Sequence, residues 1–227
     1  MGNFTITESL EIAFKERNIT YYKIRPATAD GFFNAITKAK QVNDHGAFVT
    51  RHSIEEYEKM RLFVTEDGTA GIAITSDNNI VSIFNGGEKR GVLKTLLPVA
   101  IKHGGAKLDN FNSPKLSAMY ELYGFSPVSK VEFDSRFAPD DWNYKRDGEP
   151  DIVFWIHNGD SAEDVVLNFG RYIVPWDAVE KFDTYEEAAE YRDEIMEYIK
   201  KNKINLKYNI TKDFHKYLIC GSLFVII

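Results

Sequence analysis

The chain of 227 residues reads as an α+β protein: a mixed, mostly antiparallel central sheet flanked by helices, with a C-terminal helical extension. Three observations predict this class. Residues 61–84 alternate short β-rich runs with turn residues, most clearly at Asp67-Gly68, as an antiparallel meander does. Residues 80–125 pass from strand to glycine-bearing loop, helix, strand and helix. Residues 184–201 place Ala188, Tyr191, Ile195, Met196 and Ile199 on one helical face and charge on the other.

Composition sets the outer limits. A hydrophobic share of 44% and an aromatic share of 14% supply a real core and exclude a disordered tail or a disulfide scaffold. The net charge of -6 argues against a general duplex-binding face and leaves nucleic acid only a local basic patch. Cys220, the single cysteine, excludes an internal disulfide and a cysteine-rich metal site, and reads as a buried or idle thiol. The first residues lack a basic segment ahead of an apolar core, and no run reaches the roughly 20 apolar residues that span a bilayer. The expectation is a soluble, cytoplasmic protein with no membrane partner.

Each element has its own signal. Residues 3–18 form an amphipathic helix capped by Thr7 with Glu8 in its first turn. Ile19 to Ile24 is β-rich and Arg25-Pro26 stops it. Thr28 caps a helix through Phe32, Phe33, Ile36 and Ala39, followed by a loop to Gly46. Ser53 and Glu56 have capping-box spacing, with Tyr57 and Met60 facing inward. Strands at Arg61–Glu66 and Ala70–Thr75 form the hairpin, and Asp77-Asn78-Asn79 turns into the strand Ile80–Phe84. After Asn85-Gly86-Gly87, residues 92–102 are helical up to Gly104-Gly105. Ala106–Phe111 is a strand, and Ser113-Pro114 starts a short helix that ends at Gly124. Phe125–Phe133 and Asp151–His157 are strands, separated by the irregular aromatic segment 134–150. Thr184 and Glu187 open the last helix, and Leu218–Ile227 reads as a strand or buried tail. A composition change near residue 158 divides a domain over residues 1–157 from an extension over 158–227, which could be a dimer arm or a substrate lid.

Chemistry concentrates where a loop feeds a helix. The free N–H groups and positive dipole end at the start of the 92–102 helix can hold a phosphate, with Lys89 and Arg90 as cationic donors. Trp142, Tyr144 and Phe137 lie among Asp134, Asp140, Asp141, Asp147 and Glu149, aromatic faces amid carboxylates that suit a cationic amine. His45 and His52 sit at no metal-ligand spacing, so no metal is expected. His103 ends a helix beside Gly104, where a contact with the helix dipole is its expected role.

The order of elements over Ile19 to His157 resembles the GNAT superfamily of N-acetyltransferases. Ser113 to Phe125 looks like that family's fourth-helix signature, with a small polar start, Ala118, Tyr120 and a closing Gly124-Phe125. Glu88 to Leu93 is similar to its pyrophosphate loop, although only Gly91 fits. Glu88 brings a negative charge toward phosphate, and Leu93 is bulky where backbone must approach. A looser similarity is to GNAT-like proteins of phages and prophages, through Ile83-Phe84-Asn85 and the run from Ala138-Pro139 through Trp142 to Arg146-Asp147-Gly148.

The resemblance implies acetyl-CoA as cosubstrate and a small-molecule or protein amine as acceptor. Phe84, Asn85, Gly86, Gly87, Lys89, Arg90 and Gly91 would hold the coenzyme, with backbone N–H groups near Phe84 and Asn85 facing the acyl carbonyl. Tyr120 would return a proton to the thiolate, and Asp109 would take one from the ammonium, with Glu66 and Glu132 as alternatives. The alternative function is a GNAT-like protein without acyl transfer: a phage-type binding or inhibitory module, or one that modifies nucleic acid.

Overall fold

The computed structural model describes residues 5–43, 46–87, 89–171, 176 and 179–202. Glu88, His45, Cys220 and the expected tail at 218–227 lie outside the described residues.

The helix starts follow hydroxyl and carboxylate caps. Thr7 accepts the Leu10 N–H and opens α1 (Glu8–Glu16), and Thr28 accepts the Gly31 N–H and opens α2 (Ala29–Val42). Ser53 and Glu56 form the full capping box of α3 (Ile54–Tyr57). Ser113 precedes α5 (Pro114–Leu122) without a side-chain cap bond, so proline at the first position makes that start. Between them runs α4 (Leu93–Lys102), which carries Pro98 inside it.

The first strand differs from expectation. β1 is Ile24–Pro26, whereas residues 19–23 pass α4, where the Tyr22 N–H donates to Thr95 Oγ1 at 3.1 Å. Proline is tolerated in β1 because that strand is the sheet edge. β2 (Arg61–Thr65), β3 (Ala70–Ile74) and β4 (Asn79–Asn85) make the antiparallel meander, followed by β5 (Lys107–Phe111), β6 (Phe125–Val131) and β7 (Ile152–His157). The segment between β6 and β7 holds the short helix α6 (Tyr144–Asp147). Like α6, α7 (Ala162–Leu167), capped by Ser161, and β8 (Glu180–Phe182) are not expected from the sequence. The last described helix is α8 (Tyr185–Asn202).

The eight strands lie in the order β1-β2-β3-β4-β5-β7-β6-β8, antiparallel except for β4 with β5 and β6 with β8. One face of this open sheet buries Phe63, Ile72, Leu108 and Trp155 against α1, α4 and α7. On the other face α2 covers the β2–β4 half, while α8 covers β6 and β7 with Ala188 and Ile195. Past residue 158 the chain stays with the same sheet and core: α7 buries Ala162, Val165 and Val166, and β8 extends β6. No helix among the described residues is long and apolar enough to cross a membrane.

Candidate functional site

The site begins with a fault in one strand. Gly71 faces Phe84 and Ala73 faces Val81, so β4 carries one residue more than β3 over that stretch. Within this bulge Ser82 holds φ +51°, a left-handed conformation that costs a non-glycine residue energy. Two hydrogen bonds fix it: the Ser82 hydroxyl donates to the Thr50 carbonyl at 2.9 Å and meets the Tyr57 hydroxyl at 3.0 Å. Its parallel pairing with β5 covers only Asn79 with Lys107 and Ile80 with Leu108. Beyond them the two strands part.

A cavity of about 510 Å³ lies beside the end of β4, with Ser113 after β5 in its wall. Ile83, Phe84 and Asn85 of β4 form one wall, and Gly91, Val92 and Leu93 at the start of α4 form the next. Lys115, Leu116 and Met119 of α5 close a third side, while Ala39 and Lys40 of α2 and the turn at Gly46–Val49 close the fourth. The walls are mainly aliphatic. No side chain caps the α4 start; the Lys94 and Thr95 N–H groups donate instead to the Gly91 and Val92 carbonyls, at 2.9 Å each.

The loop between β4 and α4 is tied down by its own atoms. Asn85 donates from Nδ2 to the Lys89 carbonyl at 2.9 Å, accepts the Gly87 N–H on Oδ1 at 3.3 Å, and accepts from Asn43 on its carbonyl at 3.0 Å. The Gly86 N–H donates to the Thr69 carbonyl at 2.8 Å. Glycine is required at 86 because a Cβ there would lie 2.5 Å from the Ala39 Cα, and at 91 because φ is +72°. Lys89 pairs with Asp67 across the β2–β3 turn. Of the expected coenzyme residues, Phe84, Asn85 and Gly91 line the cavity, whereas Gly86, Gly87, Lys89 and Arg90 stand outside its walls.

Tyr120 and Asp109 lie deeper. Tyr120 is 4% exposed, with its ring edge-on to Trp155 at 5.7 Å, and is absent from the cavity wall. Burial, and then the charge of Asp109, push its phenol well above the ordinary tyrosine range, so it stays protonated. Burial likewise pushes the Asp109 carboxyl up, against the opposing charge of Arg192 and a hydrogen bond from Tyr185. Arg192 Nη1 lies 3.9 Å from Asp109 Oδ1 and is itself buried without a hydrogen-bond partner among the described residues. Both groups on Asp109 belong to α8. The alternative bases differ in kind: Glu132 is an exposed partner of Lys181 at 2.6 Å, and Glu66 is exposed at the end of β2.

The aromatic segment is packed as well as acidic. Trp142 is 8% exposed, stacks near Phe111 (4.7 Å), Phe48 (4.8 Å) and Phe133 (5.2 Å), and donates Nε1–H to the Gly148 carbonyl. Tyr144 is half-exposed, edge-on to Phe133. Through Phe48 this segment reaches the cavity wall. His103 stands at the C-terminal end of α4, where burial, together with the Arg61 and Lys102 charges, lowers its proton affinity, and its ring packs on Phe63 at 4.5 Å.

Sequence reasoning missed Lys40, Asn43 and Phe48, because nothing local in α2 and the turn after it shows that they face β4. Lys115, exposed at the cavity edge, was readable from its place beside Ser113-Pro114. Comparison with family models, with curated proteins and with solved structures finds no match to this chain.

Proposed function

We propose that the chain is a GNAT-type acyltransferase that takes acetyl-CoA into the opening between β4 and β5 and passes the acetyl group to an amine. The observation that carries this reading is the parting of those parallel strands after Ile80 and Leu108, at a bulge whose strain is held by two hydrogen bonds. A coenzyme arm is narrow and mostly apolar, and Ile83, Leu116 and Met119 offer it matching walls. Lys115 at the wall and Arg90, exposed near the α4 start, supply cationic donors that suit a diphosphate.

Acetyl-CoA supplies an activated thioester. In the transfer one ammonium proton leaves to a base, the freed amine nitrogen bonds to the acyl carbon, the carbon–sulfur bond breaks, and a second proton lost from the nitrogen balances the one the thiolate gains. We assign the base to Asp109, whose raised affinity for a proton follows from burial. Tyr120, kept protonated by burial, serves better as a hydrogen-bond donor to the sulfur than as a strong acid. Release of free thiol from acetyl-CoA in the presence of simple amines tests the assignment. Tyr120→Phe is expected to lower turnover at least tenfold with little change in coenzyme affinity. Equal turnover would remove the role of Tyr120.

One observation favours the alternative, a GNAT-like binding or inhibitory module. The loop donors that would cradle phosphate are engaged internally: the Gly86 and Gly87 N–H groups in hydrogen bonds and Lys89 with Asp67. A coenzyme would bind this chain through Lys115 and the apolar wall of α5 rather than through residues 86–89.

A further inference from the structure

A second cavity, of about 470 Å³, lies on the other side of the turn at Gly46–Val49 and shares Lys40 and Val49 with the cleft. Thr37 and Lys40 of α2, Thr50 and Arg51 of the following segment, and Pro139 and Asp141 of the loop before α6 line it. Its two unlike charges, Arg51 and Asp141, are both solvent-exposed. Arg51 donates Nη1–H to Thr37 Oγ1 at 3.0 Å and lies 4.7 Å from the Phe33 ring centre, so its position is fixed from two sides. Its other guanidinium donors have no partner among the described residues. Asp141, on the opposing loop, forms no hydrogen bond or ion pair among the described residues.

Lys40 reports on both charges. Its ammonium donates to the Gly46 carbonyl at 2.6 Å and the Val49 carbonyl at 2.7 Å, which pins the turn between the two cavities. Burial lowers its proton affinity, Asp141 opposes that shift and Arg51 adds to it, so the opposite charges act on one point in the wall. Opposite charges that face one cavity without pairing can each be satisfied by a ligand that carries both signs.

We propose that this cavity binds a small zwitterion, a free amino acid or short peptide, with its carboxylate on the Arg51 guanidinium and its ammonium on Asp141. Arg51 is the anchor, because a planar guanidinium meets a carboxylate with two parallel hydrogen bonds. Thr50 lies beside it, while the Thr37 hydroxyl donates to the Phe33 carbonyl at 2.6 Å and holds Arg51 in place; Ala47, Val49 and Pro139 give the side chain an apolar floor. The role of this zwitterion as the acyl acceptor rests on the acyl-transfer reading; its binding does not.

The test is a titration of the full chain with L-alanyl-L-alanine, followed by amide resonances in nitrogen-15 spectra. Saturable shifts are expected at Thr37 and Thr50. Acetylating the peptide's amine or amidating its carboxylate should each weaken binding by about tenfold, because each removes one charge-assisted contact. Arg51→Gln should weaken the free peptide by a similar factor and leave the amidated peptide unchanged. The absence of a saturable shift, or equal binding of free and blocked peptides, would overturn the proposal. Blocking the ligand keeps the test independent of how well any variant folds. Acetyl-CoA titrated separately distinguishes the two readings: peptide binding without coenzyme binding defeats acyl transfer and leaves the zwitterion pocket standing.

Discussion

Proline at position 98 has no amide to close on the Lys94 carbonyl one turn earlier, and the Tyr123 hydroxyl donates to that carbonyl at 3.0 Å instead. Tyr123→Phe would leave this partly buried carbonyl without its partner and should cost about 1–3 kcal/mol in denaturant unfolding. In a Pro98→Ala background the restored amide can serve Lys94, so the same change should cost clearly less; equal costs would refute the substitution of one donor for the other. His157 makes a different kind of residue-level statement. Burial holds its imidazole down at about 4, so the folded chain keeps it neutral while the unfolded chain takes up a proton near the ordinary histidine value. The stability this gives is fully present above about pH 6.5 and is lost as pH falls toward 4, on the order of 3 kcal/mol. His157→Gln should flatten the stability profile in that window, and an unchanged slope would contradict it. At this scale the sequence was readable where a side chain acts on its near neighbours, as at Thr7, Thr28 and Ser53. It was silent where the partner is remote, as for Tyr123 and Lys94.

Most elements were legible because their caps, turns and apolar spacing are local; the bulge in β4 was not, since it exists only through pairing with β3. That bulge makes a prediction contrary to ordinary strand behaviour. Inside a strand glycine normally costs more than alanine. At Ser82, where φ is +51°, the order should reverse: both variants lose the hydroxyl bonds to Thr50 and Tyr57, but Ser82→Gly relieves backbone strain and Ser82→Ala keeps it. Ser82→Ala should be the less stable by about 1 kcal/mol, read from urea midpoints. A less stable glycine variant would mean that the bulge is unstrained. The first strand shows the opposite limit of local reading. Ile19 to Ile24 has β-rich composition, yet α4 captures residues 19–23 through Tyr22 and Thr95, and pairing begins only at Ile24.

Across the whole molecule, the strand order and the two-sided layering place the candidate site. The mixed sheet with flanking helices was readable from the meander and the alternation that follows it. Insertion of β7 between β5 and β6, and the return of the chain to the core through α7 and β8, depend on contacts that no local pattern reports. The same return brings α8 over β5. Lys107, 7% exposed, bridges Asp77 and Asp193 at 2.8 Å each, and Arg192 reaches toward Asp109. Asp77 and Asp193 are exposed, but Arg192 and Asp109 are not, so Arg192→Met strands the Asp109 carboxyl and should cost about 3 kcal/mol. Adding Asp109→Asn should recover much of that loss, and a strictly additive double variant would show that the two residues do not interact. The candidate site was legible in Phe84, Asn85 and Gly91, which share a chain segment, and hidden in Lys40 and Phe48, which meet them only across the fold. Its central claim is that the opening between β4 and β5 holds acetyl-CoA, and calorimetric titration of the full chain with acetyl-CoA tests that most directly. Saturable heat at one site per chain, accompanied by a rise in melting temperature, is the predicted result; no heat and no thermal shift at millimolar coenzyme would contradict it.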